Sequence, residues 1–493
     1  MRSRASESGR AWPFALLAIV LVLTGSGVAA YSLGYLDRWV CDDGTCAAQD
    51  PEAAAVPDTP AAPVLRPALE AVTGTAGLDA AAVERAVGPL LSRKALGAHV
   101  GFAVADLTSG EQVWSSGTGT FVPASTLKIF TSLAAMTSIG AEHRFRTTVV
   151  RDTSTTGTPS TTGTPSATAT ATTAPAASPQ RIVLVGGGDP YLTATSGEEA
   201  RAAYPRRVSL AQLARQTATA LRADGVTAVS LGYDASLFTG PAVNPQWESG
   251  YISSFVTTPV SALWVDQGAD GWRRSATPDK QAAQVFARQL RARGITVDGV
   301  VAATKPTASE EIAAVSSGTV AQIVQSVIEH SDNQGAEVLL RHVALADGQP
   351  ASFAGGVAAV EKVLTGLGVP WEGNRIYDGS GLARSNRVTL TSMLAAVSTA
   401  TELFDRYPVA GFSGSLVTRF AVPGTEAGLG AVRAKTGTLT GVHGLAGTTV
   451  TADGTPVGFA VLTDRVPVAR TTAARDTLSR IAARLTACAC GTS

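Results

Sequence analysis

The chain of 493 residues carries 39 basic and 39 acidic side chains, with 45% apolar and only 16% charged residues. That length exceeds what one hydrophobic core usually holds, so at least two domains are expected. A zero net charge excludes a reading built on electrostatic capture of nucleic acid or another polyanion. Lysine is scarce, with six residues against 33 arginines, and two of the six fall inside the motifs discussed below.

Residues 11–36 are uncharged and follow Arg2, Arg4 and Arg10. The stretch is long enough to span a bilayer with its basic flank inside. Val28-Ala29-Ala30 resembles a small-residue cleavage site, so an uncleaved anchor and a removed signal peptide are both open. Either places the bulk of the chain outside the cytoplasm. Cys41 and Cys46 follow this segment, and Cys488 and Cys490 lie at the far end. An even number of exported cysteines suggests disulfides. Because cysteines one residue apart rarely bridge each other, a tie between the two ends of the chain is expected. Gaps of four residues and one residue are poor zinc spacings.

Residues 47–65 are rich in Ala, Pro and acid and read as a semi-extended stalk. From Leu78 the spacing predicts an amphipathic helix, then strands over 99–106 and 111–114. FVPASTLKIF (121–130) follows, with an apolar pattern that suits a buried helix. Strands are expected at 144–151 and 181–185, joined by a Thr/Ser/Ala/Pro tract, 153–179, that lacks the apolar bulk to fold. Helices at about 208–223 and 279–293 alternate with β-rich stretches at 226–233, 251–265 and 295–303. Lys305–Ser317 reads as turn-rich. The remainder predicts helices at 319–329, 333–346, 352–366 and 389–400, strands at 431–434, 444–450 and 457–463, and a closing helix at about 468–486.

Three short motifs carry the chemistry. Ser125 and Lys128 stand three apart, so on a helix the hydroxyl and the amine share a face. An amine can deprotonate a serine only if burial or a second cation lowers its pKa. Ser331-Asp332-Asn333 closes one helical run and opens the next, and Lys435-Thr436-Gly437-Thr438 follows a strand-like AVRA. In these places Ser125 is the candidate nucleophile and Lys128 its base. Ser331 can relay a proton to the departing amine, and Asn333 can hold the substrate amide and the Lys128 amine. Lys435 adds charge that favours neutral Lys128 and attracts a carboxylate, which Thr436 can bind. Gly437 lets backbone approach, and the N–H groups of Ser125 and Thr438 are the expected oxyanion hole.

Ordered S-x-x-K, S-D-N and K-T-G form the motif set of penicillin-binding proteins and class A β-lactamases. The chain resembles the class-C low-molecular-mass penicillin-binding proteins, the D-alanyl-D-alanine carboxypeptidase/endopeptidase family. The likeness extends through VPASTLKIFTSLAA, LVGGGDPYL, SDNQGAEVLLRH, YDGSGLARSNRVT, PVAGFSGSL and AKTGTLTGVHGLAG, and covers most of 78–487. It implies a mixed α/β fold in which a transpeptidase/β-lactamase-like domain (78–145 and 315–487) is interrupted by an inserted α/β domain (146–314). Outside it lie the tip and anchor or signal segment (1–40), the stalk (41–77) and a tail (488–493). It further implies cleavage of D-Ala-D-Ala ends and D,D crosslinks in peptidoglycan stem peptides, no cofactor, and covalent inhibition by β-lactams.

A β-lactamase shares the motifs, but no E-x-x-L-N lies between Asn333 and Lys435. G-x-S-x-G and H-E-x-x-H are absent, which sets aside an α/β-hydrolase and a zinc hydrolase. The five histidines, scattered at 99, 143, 330, 342 and 443, read as core or surface residues. An idle wall-binding scaffold would be expected to have lost Ser125, Lys128 or Lys435, and all three are present. Asp378 and Ser413 are further candidates for the cleft, with a turn role as the plainer reading of each.

Overall fold

The computed structural model describes residues 77–154 and 179–492. The anchor or signal segment, the stalk, Cys41, Cys46 and nearly all of the Thr/Ser/Ala/Pro tract lie outside these. Along the chain come helix α1 (Ala80–Leu91), strands β1 (Val100–Asp106) and β2 (Gln112–Ser116), and helix α2 (Lys128–Ser138). Strands β3 (Arg144–Asp152) and β4 (Gln180–Val185) are followed by α3 (Leu210–Ala223), β5 (Ala228–Asp234), α4 (Pro278–Arg291), β6 (Thr296–Ala302) and β7 (Ser309–Thr319). Next are helices α5 (Val320–His330), α6 (Asn333–Ala346), α7 (Phe353–Gly366) and α8 (Leu390–Thr399). Strands β8 (Arg433–Leu439), β9 (Val442–Val450) and β10 (Pro456–Thr463) precede α9 (Thr471–Thr486). Among the described residues no helix is long and apolar enough to cross a membrane.

One antiparallel sheet has the order β8-β9-β10-β1-β2. Its two faces are buried by different residues, as a period of two demands. Phe102, Val104, Leu445, Phe459 and Val461 pack against α1 and α9 through Val83, Val87, Leu478, Ile481 and Leu485. The other face shows Ala103, Ala105, Ala446 and Ala460 to Leu127, Ile129, Phe130, Met393 and Val397. Small residues on that face let α2, which begins with Lys128, lie close to the strands. Each fully buried Phe or Leu contributes roughly 1.5–3 kcal/mol to this core.

The second sheet, β7-β3-β4-β5-β6, is mixed: β7, β3 and β4 are antiparallel, while β4-β5 and β5-β6 are parallel. Helices α3 and α4 cover it through Leu210, Leu213, Leu221, Phe286 and Leu290. The neighbouring strands β3 and β7 bring the two crossings together: β3 begins at Arg144, shortly after α2, and pairs there with Thr319, where β7 ends and α5 begins. The Ser/Thr-rich tract joins β3 to β4. Its ends are held together, since Gln180 Nε2 donates to the Asp152 carbonyl at 3.1 Å. Replacing 155–178 with a short turn is therefore expected to leave the melting temperature and the peptidase rate near wild type. A drop of several degrees in a calorimetric scan would show that the tract packs.

Several local expectations need correction. Residues 251–265 form no strand; Val256 and Val260 bond to Tyr251 and Ala242 carbonyls in an irregular loop. Residues 309–317 are not a turn region but part of β7, whose polar side chains occupy the open face of an edge strand. The K-T-G motif sits within β8 rather than after a strand, because Gly437 pairs opposite Gly444 and carries the ladder to Leu439. The cysteines also differ from expectation. Cys488 is bonded to Cys490, whose Cα atoms lie 5.1 Å apart as the chain turns out of α9. That separation is within the range a disulfide spans, so adjacency is no bar here.

Candidate active site

Ser125 lies in a single 3₁₀ turn, Ala124–Leu127, that leads into α2. In a 3₁₀ turn residues three apart eclipse, which aligns Ser125 with Lys128 more closely than an α-turn would. The turn is backbone-strained at its start: Ala124 has φ +46°, in the left-handed region that non-glycine residues seldom adopt. A neighbouring glycine accommodates it. Gly381 (φ +84°) lies against Ala124 so closely that a Cβ would sit 1.9 Å from the Ala124 carbonyl oxygen.

Lys128 is completely buried, yet its amine has three partners: Ser125 Oγ at 2.9 Å, Asn333 Oδ1 at 2.7 Å and the Ser380 carbonyl at 2.7 Å. Two of these can only accept. A neutral amine has two N–H bonds and one lone pair, so the lone pair is left for the Ser125 hydroxyl. Burial pulls the Lys128 pKa down to about 8, against the opposing pull of Glu337, Asp378 and Asp332. Burial, rather than a second cation, is thus the main cause. Lys435 is also fully buried and donates to the Thr436 carbonyl at 2.8 Å. Its amine is pushed well below its usual range, first by burial and then by the Lys128 charge.

The second motif is placed by a break between helices. Ser331 caps α5 in a left-handed conformation (φ +60°), and α6 starts at Asn333. The Asn333 amide is oriented by donating to the Val256 carbonyl at 2.9 Å, which turns its oxygen toward Lys128. On β8, the Thr436 hydroxyl donates to Ser415 Oγ at 2.9 Å. Gly437 is needed by protein rather than by open cleft: a Cβ there would stand 2.7 Å from the Pro123 carbonyl oxygen, against the turn that carries Ser125. A cavity of about 390 Å³ is lined by Ser125, Ser331, Asn333 and Thr438 together with Glu248, Tyr251 and Arg384. Arg384 Nε donates to Glu248 at 2.5 Å, so that wall carries both charges. All eight residues expected from the motifs are therefore within one neighbourhood, Lys128, Lys435 and Gly437 behind the surface and the rest at or beside it.

Sequence reasoning missed a buried support beneath Lys128. Glu337 is wholly buried one turn along α6 from Asn333 and accepts from the Gly379 and Ser380 amides. It thereby fixes the turn whose Ser380 carbonyl reaches Lys128. Burial and the nearby Asp378 push its carboxyl up to about 7. The i, i+4 spacing from Asn333 was the available signal. Asp378 serves the turn, accepting from Trp247 Nε1, Asn386 Nδ2 and the Gly381 and Ala383 amides. Ser413 likewise accepts from the Val409 amide, and its neighbour Ser415 is the one that meets Thr436. Glu248 and Tyr251 had no sequence signal, as they stand in loops without periodicity, whereas Arg384 lies within the YDGSGLARSNRVT segment but was not singled out there.

Comparison with known proteins agrees with this arrangement. The model of the D-Ala-D-Ala carboxypeptidase 3 (S13) family matches residues 83–271 and 269–485. A carboxypeptidase of Mycobacterium tuberculosis is 30% identical over 451 residues, covering 88% of this chain and 90% of that protein. The carboxypeptidase DacB of Mycolicibacterium smegmatis is 29% identical over 407 residues, covering 79% and 80%. Among solved structures, penicillin-binding protein 4 of Haemophilus influenzae superposes with a TM-score of 0.64 at 21% identity, over 81% of this chain and 97% of that one, which shows a shared fold.

Proposed function

The chain belongs to the D-Ala-D-Ala carboxypeptidase 3 (S13) family, and from that premise we propose how its residues divide the work. It is a serine D,D-carboxypeptidase/endopeptidase built on a mixed α/β fold with an inserted α/β domain, and it acts outside the cytoplasm on peptidoglycan stem peptides. Ser125 attacks the carbonyl of the penultimate D-Ala while Lys128 takes its proton. The Ser125 and Thr438 amides receive the oxyanion. Collapse of the tetrahedral adduct breaks the C–N bond, and the proton that Lys128 took from Ser125 passes by way of the Ser331 hydroxyl, which lines the same cavity, to the departing amine, leaving Lys128 neutral again. Water then enters from the cavity, and Lys128 again acts as base to release the acyl chain. A β-lactam is attacked in the same way but leaves its amine tethered, so the site stays occupied.

The observation that carries this reading is the amine of Lys128, with two acceptor-only partners and its third direction on Ser125. Incubation with a stem pentapeptide and a crosslinked dimer, with products resolved by mass, tests it. Rapid turnover of a β-lactam with neither peptide cut would make the protein a β-lactamase instead. Residues 146–314 are assigned as the inserted domain, and 11–36 as a membrane anchor. Full-length protein that remains with membranes through an alkaline wash supports the anchor, and release into the wash supports a removed signal.

The pH dependence follows from the same amine. Lys128 must be neutral to accept a proton, so kcat/KM should rise through about pH 8 and level off above it. The charged groups facing it are Glu337 from α6, Asp378 from the 378–383 turn, Asp332 before α6 and Lys435 from β8. The Glu337 carboxylate raises the amine's pKa. Glu337→Gln should therefore move the rising limb to lower pH while lowering the plateau, since the turn beneath Ser380 loosens. A lower plateau with an unmoved limb would reduce Glu337 to a structural role.

A further inference from the structure

A second cavity, of about 560 Å³, is walled by Glu329, His330, Phe412, Ser415 and Val417. It adjoins the catalytic groups at two points. Ser415 Oγ receives the Thr436 hydroxyl, and His330 directly precedes Ser331. In the proposed reaction Thr436 holds the leaving residue's carboxylate and Ser331 hands a proton to the leaving amine. The first cavity takes the other end of β8 and the turn after it, Thr438–Thr440. Passing back from that turn along β8 to Thr436 thus leads from the acyl side of the scissile bond to the leaving side, and the second cavity continues from there.

Its lining is unusual for open surface. Phe412 is 71% exposed and Val417 is 52% exposed. They are presented on a loop that is held in place: Phe412 N–H donates to the Val409 carbonyl, and Gly414 (φ +51°) is pressed against the Glu329 carbonyl, where a Cβ would stand at 2.4 Å. A departing D-Ala ends at its carboxylate and has nothing to put in a space of this size. The leaving half of a D,D crosslink does. Its amine belongs to a diamino acid whose D-centre carries a carboxylate and whose methylene chain runs on to a second stem peptide.

We propose that the Phe412–Val417 cavity is the subsite for the amine-side stem of a D,D crosslink, with the methylene chain against Phe412 and Val417 and the D-centre carboxylate at Thr436 and Ser415. The proposal rests on the D,D-peptidase reading above. It makes this cavity the part of the molecule that separates crosslink cleavage from trimming of a free end.

The test compares full-length wild type, Phe412→Ala, Phe412→Leu and Val417→Ala on a stem pentapeptide and on a crosslinked dimer, with penicillin acylation rates as the control for an intact site. Phe412→Ala should lower kcat/KM for the dimer on the order of tenfold or more, as expected for lost apolar contact in a specificity pocket. The pentapeptide and penicillin rates should stay within about twofold, and Phe412→Leu should recover most of the dimer rate. Equal losses on both peptides, or an unchanged dimer rate, would overturn the proposal. Wild type that cuts the pentapeptide but never the dimer would overturn it while leaving the carboxypeptidase reading intact. Wild type that cuts neither peptide and forms no acyl-enzyme would overturn both.

Discussion

Ser125→Ala should abolish covalent labelling by penicillin and reduce pentapeptide hydrolysis on the order of 10⁴-fold or more. In its neutral form the buried Lys128 amine has its lone pair toward this hydroxyl, because its two N–H bonds go to Asn333 Oδ1 and the Ser380 carbonyl. Ser331 also lines the cavity, but it sits at the end of another helix and is not among those three partners. It therefore lacks an aligned base and should not substitute as nucleophile. The substitution removes one oxygen from a side chain that is only half-buried, and Lys128 keeps two partners. A melting temperature close to wild type is expected, so the loss of rate will report chemistry rather than unfolding. An acyl-enzyme formed by Ser125→Ala at the wild-type rate would remove the central assignment.

Amidating the terminal carboxylate of the pentapeptide should cost roughly 2–4 kcal/mol in kcat/KM, about 30- to 1000-fold. The hydroxyls of Thr436 and Ser415 are the groups placed to touch that carboxylate, while Lys435 is wholly buried and acts from behind them. Burial and the Lys128 charge hold the Lys435 amine well below its usual pKa. An arriving carboxylate stabilises the ammonium form of Lys435, and that charge in turn favours neutral Lys128. The substrate thus helps to prepare its own base, and an amide loses both effects. Steady-state rates on matched acid and amide peptides give the measurement. Equal rates would mean that the K-T-G segment does not read the carboxylate, and Thr436→Val should narrow any gap that is found.

Most of the regular structure was legible because it depends on neighbours in sequence. Asp79 caps α1 at Ala82, and Thr319 and Gln322 form a reciprocal cap for α5. The alternation of Phe102 and Val104 with Ala103 and Ala105 marks a strand buried on both faces. The errors fell where tertiary pairing overrode local composition. Polar β7 became a strand because β3 offered it a ladder. Apolar 251–265 became a loop because it packs onto the second motif, where its Val256 carbonyl orients Asn333.

By itself the sequence determined the exported character of the chain, its α/β class, its family and the three motifs. It also determined the meeting of Ser125 with Lys128, since one helical turn sets where a residue stands relative to the one three places on. The tertiary structure decided what makes Lys128 a base. Asn333 Oδ1 arrives from 205 residues away and the Ser380 carbonyl from 252, and Glu337 holds the Ser380 turn from within a buried helix. It likewise chose Ser415 over Ser413, and joined Cys488 to Cys490. The physical reason is the same in each case. A main-chain carbonyl looks alike at every residue, and burial is a property of the packed molecule, so neither a buried amine's partners nor its pKa is written in any local pattern.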